Sequence, residues 1–178
     1  MSTVTWRVPD KLDRRKLQAF TCALGVPPKG RPPSWEHEVQ AYFRTQALAD
    51  TGASRRWDQR FRIAEDAWGI AAAYTHARPA SHHPDLRVPP GTACRYLLML
   101  GIAARYRKQG GKFADEVLLD ALYDVLEREP NHESVAVFAR VDRHNIPSQK
   151  MLGRVGFRQV IAGTPERRLG WWLLTVDR

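Results

Sequence analysis

Only two cysteines, Cys22 and Cys94, stand in a chain of 178 residues. They match no metal-ligand spacing and cannot build a disulfide framework, so free thiols in a reducing compartment are expected. Long apolar runs are also missing. The longest are strand-sized, which excludes a membrane-spanning helix, and "MSTVTWRVPDKLDRRK" holds no signal-peptide core. The expectation is a cytoplasmic protein with no membrane partner. No repeat, low-complexity segment or long Lys/Arg run is visible. Acidic residues are the minority, 19 against 28 Lys and Arg, for a net charge of +9. That excess favours polyanionic partners (nucleic acid, an acidic protein, a phosphate-rich cofactor), although scattered charge also fits plain solubility.

What is present fits an ordinary globular protein. Apolar residues are 43 % and charged residues 26 % of the chain, enough for one domain over residues 1–178 with its own core. "STVTWRV" alternates like a strand. "KLDRRKLQAFTCAL" places Leu12, Leu17, Phe20 and Leu24 at helical spacing, and "GVPPKGRPPS" stops that helix. Ser34 reads as an N-cap, with Glu36 and Glu38 in the first turn and Trp35, Val39, Tyr42, Phe43 and Ala47 inward. That helix runs to about Asp50. "RRWDQRFRIAED" and "WGIAAAYTHAR" read as two strands, and "PASHHPDLRVPPGT" as a long loop of the kind that often carries function. "ACRYLLMLGIA" and "SVAVFARV" read as strands buried on both faces. Between them lies a helix with Ala114, Val117, Leu118, Ala121, Leu122 and Val125 in one stripe. "NIPSQKMLGRV" is a helix with Asn145 near its cap and Pro147 in its first turn. "GFRQVIAG" and "LGWWLLTV" close the chain as strands. The strand–turn–helix–strand unit should set two strands parallel within a mixed α/β sheet with helices on both faces.

The stretch "RYRKQGGKFADEVL" puts basic residues and two glycines at the mouth of a helix. A helix N-terminus offers unpaired N–H groups and partial positive charge, and glycine lets backbone approach an anion. Three phosphate-binding readings compete. A Walker-type loop fails because Tyr106 and Phe113 stand where Gly and Ser/Thr are needed. A dinucleotide fingerprint fails because only the adjacent pair Gly110–Gly111 is present. The third reading is a coenzyme A loop.

"LGIAARYRKQGGK" together with "NIPSQKMLGRVGF" about 35 residues on resembles the GNAT superfamily of acyl-CoA-dependent N-acetyltransferases. Arg107 and Gly110 match the family's pyrophosphate loop, and Lys112 replaces its final small residue. Asn145, Ser148 and Gly156–Phe157 match the second segment. The resemblance covers roughly residues 57–176, within a core of 57–178, and is thin over a variable strand and helices in 1–56. It implies a single mixed central sheet of six to seven strands flanked by about four helices and splayed between the fourth and fifth strands. It further implies that pantetheine pairs with the backbone of Leu100 and Ile102 around Gly101. The pyrophosphate would take the amides of Lys108, Gln109, Gly110, Gly111, Lys112 and Phe113, with charge from Arg107 and Lys112. Asn145, with Ser148 or Lys150, would contact the pantetheine arm, and a plain helix cap is an equal reading of Asn145. Acetyl-CoA is then the acyl donor and no metal is implied.

The chemistry needs a base for the ammonium nucleophile, an oxyanion donor and an acid for the departing thiolate. Leu152 stands where the family often has its acidic Tyr, and Tyr96 where some members carry a Glu base. Tyr96 is the candidate catalytic residue, and a core-edge aromatic is its bland reading. Tyr74, His82, His83, His144, or the Ile102 amide with water are the alternatives. His82, His83 and Asp85 lack further ligands for a metal. The acceptor surface implied by the resemblance carries Lys29, Arg31, Arg78 and Arg87 with Glu36 and Glu38, which favours a neutral or anionic amine, small-molecule or protein-borne, over a polycation. Phe20 and Cys22 in "LQAFTCALGVPP" are similar to the opening of GNAT toxins that acetylate charged tRNA, so tRNA is a second acceptor class. A catalytically weak acyl-CoA-binding regulatory module is a third reading. A monomer or homodimer is expected.

Overall fold

The computed structural model describes residues 4–26, 34–53, 57–79, 88–107 and 111–178. β1 (Thr5–Arg7) is followed by a 3-10 turn at Lys11–Asp13 and α1 (Arg14–Ala19). The expected helix over Leu12–Leu24 is therefore shorter. Asp10 forms a capping box with Asp13, and Phe20 leaves helical geometry at φ −61°, ψ 126°. The helix expected to run to Asp50 is two, α2 (Trp35–Thr45) and α3 (Ala47–Ala53), broken at Gln46. β2 (Arg60–Asp66), β3 (Gly69–Ala77) and β4 (Ala93–Ile102) follow, then α4 (Lys112–Arg128), β5 (Ser134–Asp142), α5 (Ile146–Val155), β6 (Arg158–Ile161) and β7 (Leu169–Asp177).

The strands form one seven-stranded sheet in the order β1-β2-β3-β4-β5-β7-β6. β4 and β5 run parallel, as a βαβ unit requires, while β1–β2, β5–β7 and β6–β7 are antiparallel. β5 is buried on both faces for most of its length. β4 is not: its first residues alternate between buried and half-buried, so one face meets the core and the other is partly open. The β4–β5 register includes Ala93↔Val135 to Leu97↔Ala139.

Packing divides the chain into two compact units, Met1–Thr75 with Met99–Gly110, and His76–Leu98 with Gly111–Arg178. The first is built on Leu17, Phe20, Phe43, Phe61, Ile63 and Ile70, with Phe43 stacked on Phe61 at 5.7 Å and edge-on to Phe20 at 5.9 Å. An ion cluster ties its N-terminal strand down. Arg7 bonds Asp13 and Glu65, and Lys16 also reaches Glu65. The second unit buries Val117, Leu118, Ala121 and Val125 of α4, Val135 and Val137 of β5, and Leu152 and Phe157 around α5. The α4 stripe is the expected one except that Ala114 is half-buried and Phe113 is buried at its start.

α5 is punctuated as the sequence requires. The Asn145 side chain caps it by accepting from the Ser148 amide, Pro147 lies in the first turn, and Gly156 closes it at φ +105°. No helix among the described residues is long and apolar enough to cross a membrane.

Candidate functional site

The residues singled out from sequence fall on the end of β4, the turn after it, the start of α4, the start of α5 and the half-open face of β4. Gly101 is buried, and a Cβ there would meet Phe43 at 3.1 Å and Phe20 and Val39 at 3.2 Å. The core of the first unit therefore packs tightly around this position and favours glycine, a packing reason that sequence reading did not see. Leu100 and Ile102 flank it, half-buried. Ala103 donates to the Ala71 carbonyl at 2.8 Å and Ala104 to the Thr21 carbonyl at 2.8 Å, which fixes where the strand ends.

The basic turn is more internally committed than its charge suggests. Arg105 holds Asp66 through a two-pronged ion pair at 2.8 Å, and the Tyr106 hydroxyl donates to the same carboxylate at 2.8 Å. Burial pushes the Asp66 pKa up, but Arg105 and Tyr106 outweigh it and hold the carboxyl below its usual range. Arg107 donates to the Cys22 carbonyl and pairs with Glu36 of α2 at 2.8 Å. Beside it, burial together with Glu36 drives the Cys22 thiol up to about 11, so this cysteine is inert as a nucleophile at neutral pH. Lys108, Gln109 and Gly110 lie outside the described residues.

Gly111 is the N-cap of α4 in the left-handed region, at φ +82°. A Cβ there would stand 2.8 Å from an Arg154 guanidinium nitrogen. The left-handed backbone is what favours glycine at 111, since the Arg154 tip could swing aside. Lys112 begins the helix, and the Phe113 ring is buried. Arg154 of α5 reaches Asp115 in the first turn of α4 with bonds of 2.6 and 3.0 Å. Sequence gave no signal of this pair, because its members are 39 residues apart.

The proton-transfer candidates separate clearly. Tyr74 is fully buried against Trp6 and Leu152 is 1 % exposed. Neither can meet a reacting group from solvent. His144 is exposed and leans on Asp142 at 3.2 Å. Tyr96 packs with Val88, Cys94, Ile161, Trp171 and Leu173 around Ala136 and Phe138. Burial raises its hydroxyl pKa, partly offset by Arg140, so Tyr96 keeps its proton at neutral pH and suits donation better than abstraction. His82, His83 and Asp85 lie outside the described residues, as do Lys29, Arg31 and Arg87. Arg78 is not a free acceptor-site cation, since it grips Glu129 at 3.0 Å through two nitrogens. Among the described residues no group of three or more His, Cys, Asp or Glu could hold a metal ion.

A buried polar network escaped sequence reading altogether. Arg95 on β4 is fully buried, donates to Glu129 at 2.8 Å and lies 3.5 Å from Nδ1 of His76. His76 is itself fully buried and 2.7 Å from Asp124 of α4. Glu129 is thus shared by Arg95 and Arg78, and they hold its carboxyl below the usual range against the upward push of burial.

No family model matches the chain, and no curated protein does. Solved structures do match. An acetyltransferase-family protein described as GNAT, from Desulfovibrio desulfuricans, superposes with TM-score 0.65 at 12 % identity, covering 98 % of this chain and 99 % of its own. AtaT complexed with acetyl-methionyl-tRNAfMet gives 0.66 at 13 %, covering 95 % and 94 %. The aminoglycoside acetyltransferase AAC(6')-Ib, in complex with ribostamycin and coenzyme A, gives 0.60 at 16 %, covering 99 % and 94 %. Mixed seven-stranded sheet, parallel β4–β5 pair and near-complete mutual coverage agree: the chain has the GNAT acetyltransferase fold.

Proposed function

We propose that this protein is an acyl-CoA-dependent N-acetyltransferase that moves an acetyl group from acetyl-CoA to a primary amine by direct attack within a ternary complex. The observation that carries this reading is the GNAT fold, shared over nearly the whole chain with solved structures that include acetyltransferases bound to coenzyme A and acetyl-CoA. Extended backbone at the end of β4 can pair with an added strand-like ligand, and a pantetheine arm offers the matching amides. Leu100 and Ile102 would take it.

α4 begins behind a left-handed Gly111, and the positive end of a helix suits a pyrophosphate, with Lys112 adding charge. Arg107 would exchange Glu36 for phosphate. Asn145 uses its side-chain oxygen as a cap, leaving its amide nitrogens as the donors toward a ligand. A cytoplasmic site of action accords with such a donor.

In the transfer, the amine nitrogen attacks the acetyl carbon and the carbon–sulfur bond breaks with its electron pair on sulfur. The Ile102 amide is the candidate oxyanion donor and the Tyr96 hydroxyl the candidate proton donor to sulfur. The acceptor class is an amine without a dense positive charge, because Glu36, an acid on the surface expected to meet it, is already paired with Arg107. The net charge of +9 favours one second reading, an aminoacyl-tRNA acceptor.

Free-thiol release from acetyl-CoA across neutral, carboxylate-bearing and polycationic amines, peptides and aminoacyl-tRNA tests these readings. Turnover with a small or peptide amine is expected. Turnover only with aminoacyl-tRNA, weakening steeply with salt, would transfer the conclusion to the second reading. Tight coenzyme A binding without turnover on any acceptor would refute the enzyme and leave a regulatory acyl-CoA-binding module.

A further inference from the structure

We propose that Arg140, clamped on Trp171, is the positioning residue for the Tyr96 hydroxyl. The proposal rests on the acyl-transfer reading above and adds a residue to it. Register is the starting point. Tyr96 pairs with Phe138 and Leu97 with Ala139. Side chains alternate along a strand, so Arg140, two residues past Phe138, shares the face of Tyr96.

β7 completes the group. Trp171 lies directly opposite Arg140 in the β5–β7 ladder. The Arg140 guanidinium carbon stands 5.3 Å from the Trp171 ring centroid, within cation–π range. Trp171 meets Tyr96 edge-on, centroids 5.5 Å apart at 74°. Arg140 also offsets part of the rise that burial puts on the Tyr96 hydroxyl. Three side chains from three strands therefore fix one another. An exposed arginine ordinarily samples many rotamers, and the indole face removes that freedom.

Among the described residues, Arg140 is the charged group that bears on the phenol. From β4 the neighbour is Cys94, whose thiol is pushed up by burial and by Glu129 and is neutral. From β5 come Ala136 and Phe138, from β6 Ile161, from β7 Trp171 and Leu173, and from the preceding loop Val88, all uncharged. As the carbon–sulfur bond breaks, the Tyr96 hydroxyl gives its proton to sulfur and takes one from the attacking nitrogen, so atoms and charge balance. Negative charge that develops on the phenol oxygen during this relay is stabilised by the fixed guanidinium, which needs no reorganisation.

The test begins with a readout independent of catalysis. The ultraviolet tyrosinate titration is recorded with and without Tyr96→Phe, in the wild type and in Arg140→Met. The component removed by Tyr96→Phe is expected to move up by about one pH unit or more in Arg140→Met, and to return part of the way in Arg140→Lys. In steady state, Arg140→Met should lower kcat with KM for acetyl-CoA unchanged, and the double variant should be no slower than Tyr96→Phe alone. An unmoved Tyr96 titration overturns the proposal, as does full activity of Tyr96→Phe. If the wild type transfers to no acceptor but the titration still moves, it is the acetyltransferase reading that fails, while the Arg140–Tyr96 coupling stands.

Discussion

Glu129→Gln tests the buried network most directly. The Glu129 carboxylate takes three arginine N–H bonds, from Arg95 Nε at 2.8 Å and from Arg78 Nε and Nη2 at 3.0 Å each. Arg78 is 54 % exposed in its side chain and can return to water, whereas Arg95 is 0 % exposed and cannot. Glutamine offers one oxygen, and its amide turns N–H groups toward a donor. A fully buried guanidinium loses the counter-charge of Glu129. Breaking a buried pair on one side costs about 3–5 kcal/mol, and the remaining oxygen places this case near the lower end, about 3 kcal/mol. For a chain of this size that is a fall of about 6–12 °C in Tm.

The sign with pH follows from the depressed pKa. Glu129 contributes stability above its unfolded pKa, about 4.3, and loses it as pH falls through its lower folded value. The gap between wild type and variant should therefore be widest at neutral pH and close in acid. Thermal melts followed by circular dichroism from neutral pH to about pH 3 measure both quantities. A fall under about 2 °C, or a gap that does not close in acid, refutes the reasoning. Arg78→Ala is the control and should cost about 1 kcal/mol or less, because that side chain is half in water.

Gly111→Ala should lose about 1 kcal/mol from left-handed strain and displace Arg154 from Asp115; weaker coenzyme A binding by calorimetry should accompany it. Gly101→Val should lose about 1–3 kcal/mol by overpacking against Phe43, Phe20 and Val39, read as a lower denaturant midpoint, with Gly101→Ala milder. Glu36→Gln removes the anion that competes for Arg107, so coenzyme A should bind about two- to fivefold tighter in calorimetry; weaker binding would instead make Glu36 the residue that holds Arg107 in place. Asp13, Glu65 and Asp66 are held below the carboxylate range like Glu129, so the wild-type Tm should fall as pH drops through and below about 4.

Local chemistry made much of the fold legible in the sequence. The α4 stripe, the Asn145–Pro147 start and Gly156 end of α5, and the apolar run of β5 are written in neighbours a few residues apart, where periodicity and capping act. The break at Gln46 and the early end of α1 at Ala19 were hidden, because both elements carry apolar residues that continue the helical spacing past the point where packing stops the helix. At the candidate site, the glycines were visible but not their reasons. Gly101 answers to three aromatic or branched side chains from α2 and the segment before it, and Gly111 to a left-handed backbone beside Arg154. By itself the sequence determined the order of elements, the parallel β4–β5 pair and the position of a basic turn before α4. Only the tertiary structure decided that Arg105 and Arg107 are spent on Asp66 and Glu36, that Arg95 is buried with Glu129, and that Arg140, Trp171 and Tyr96 meet, because each partner lies tens of residues away and such pairings follow from strand register and helix docking, which no local pattern encodes.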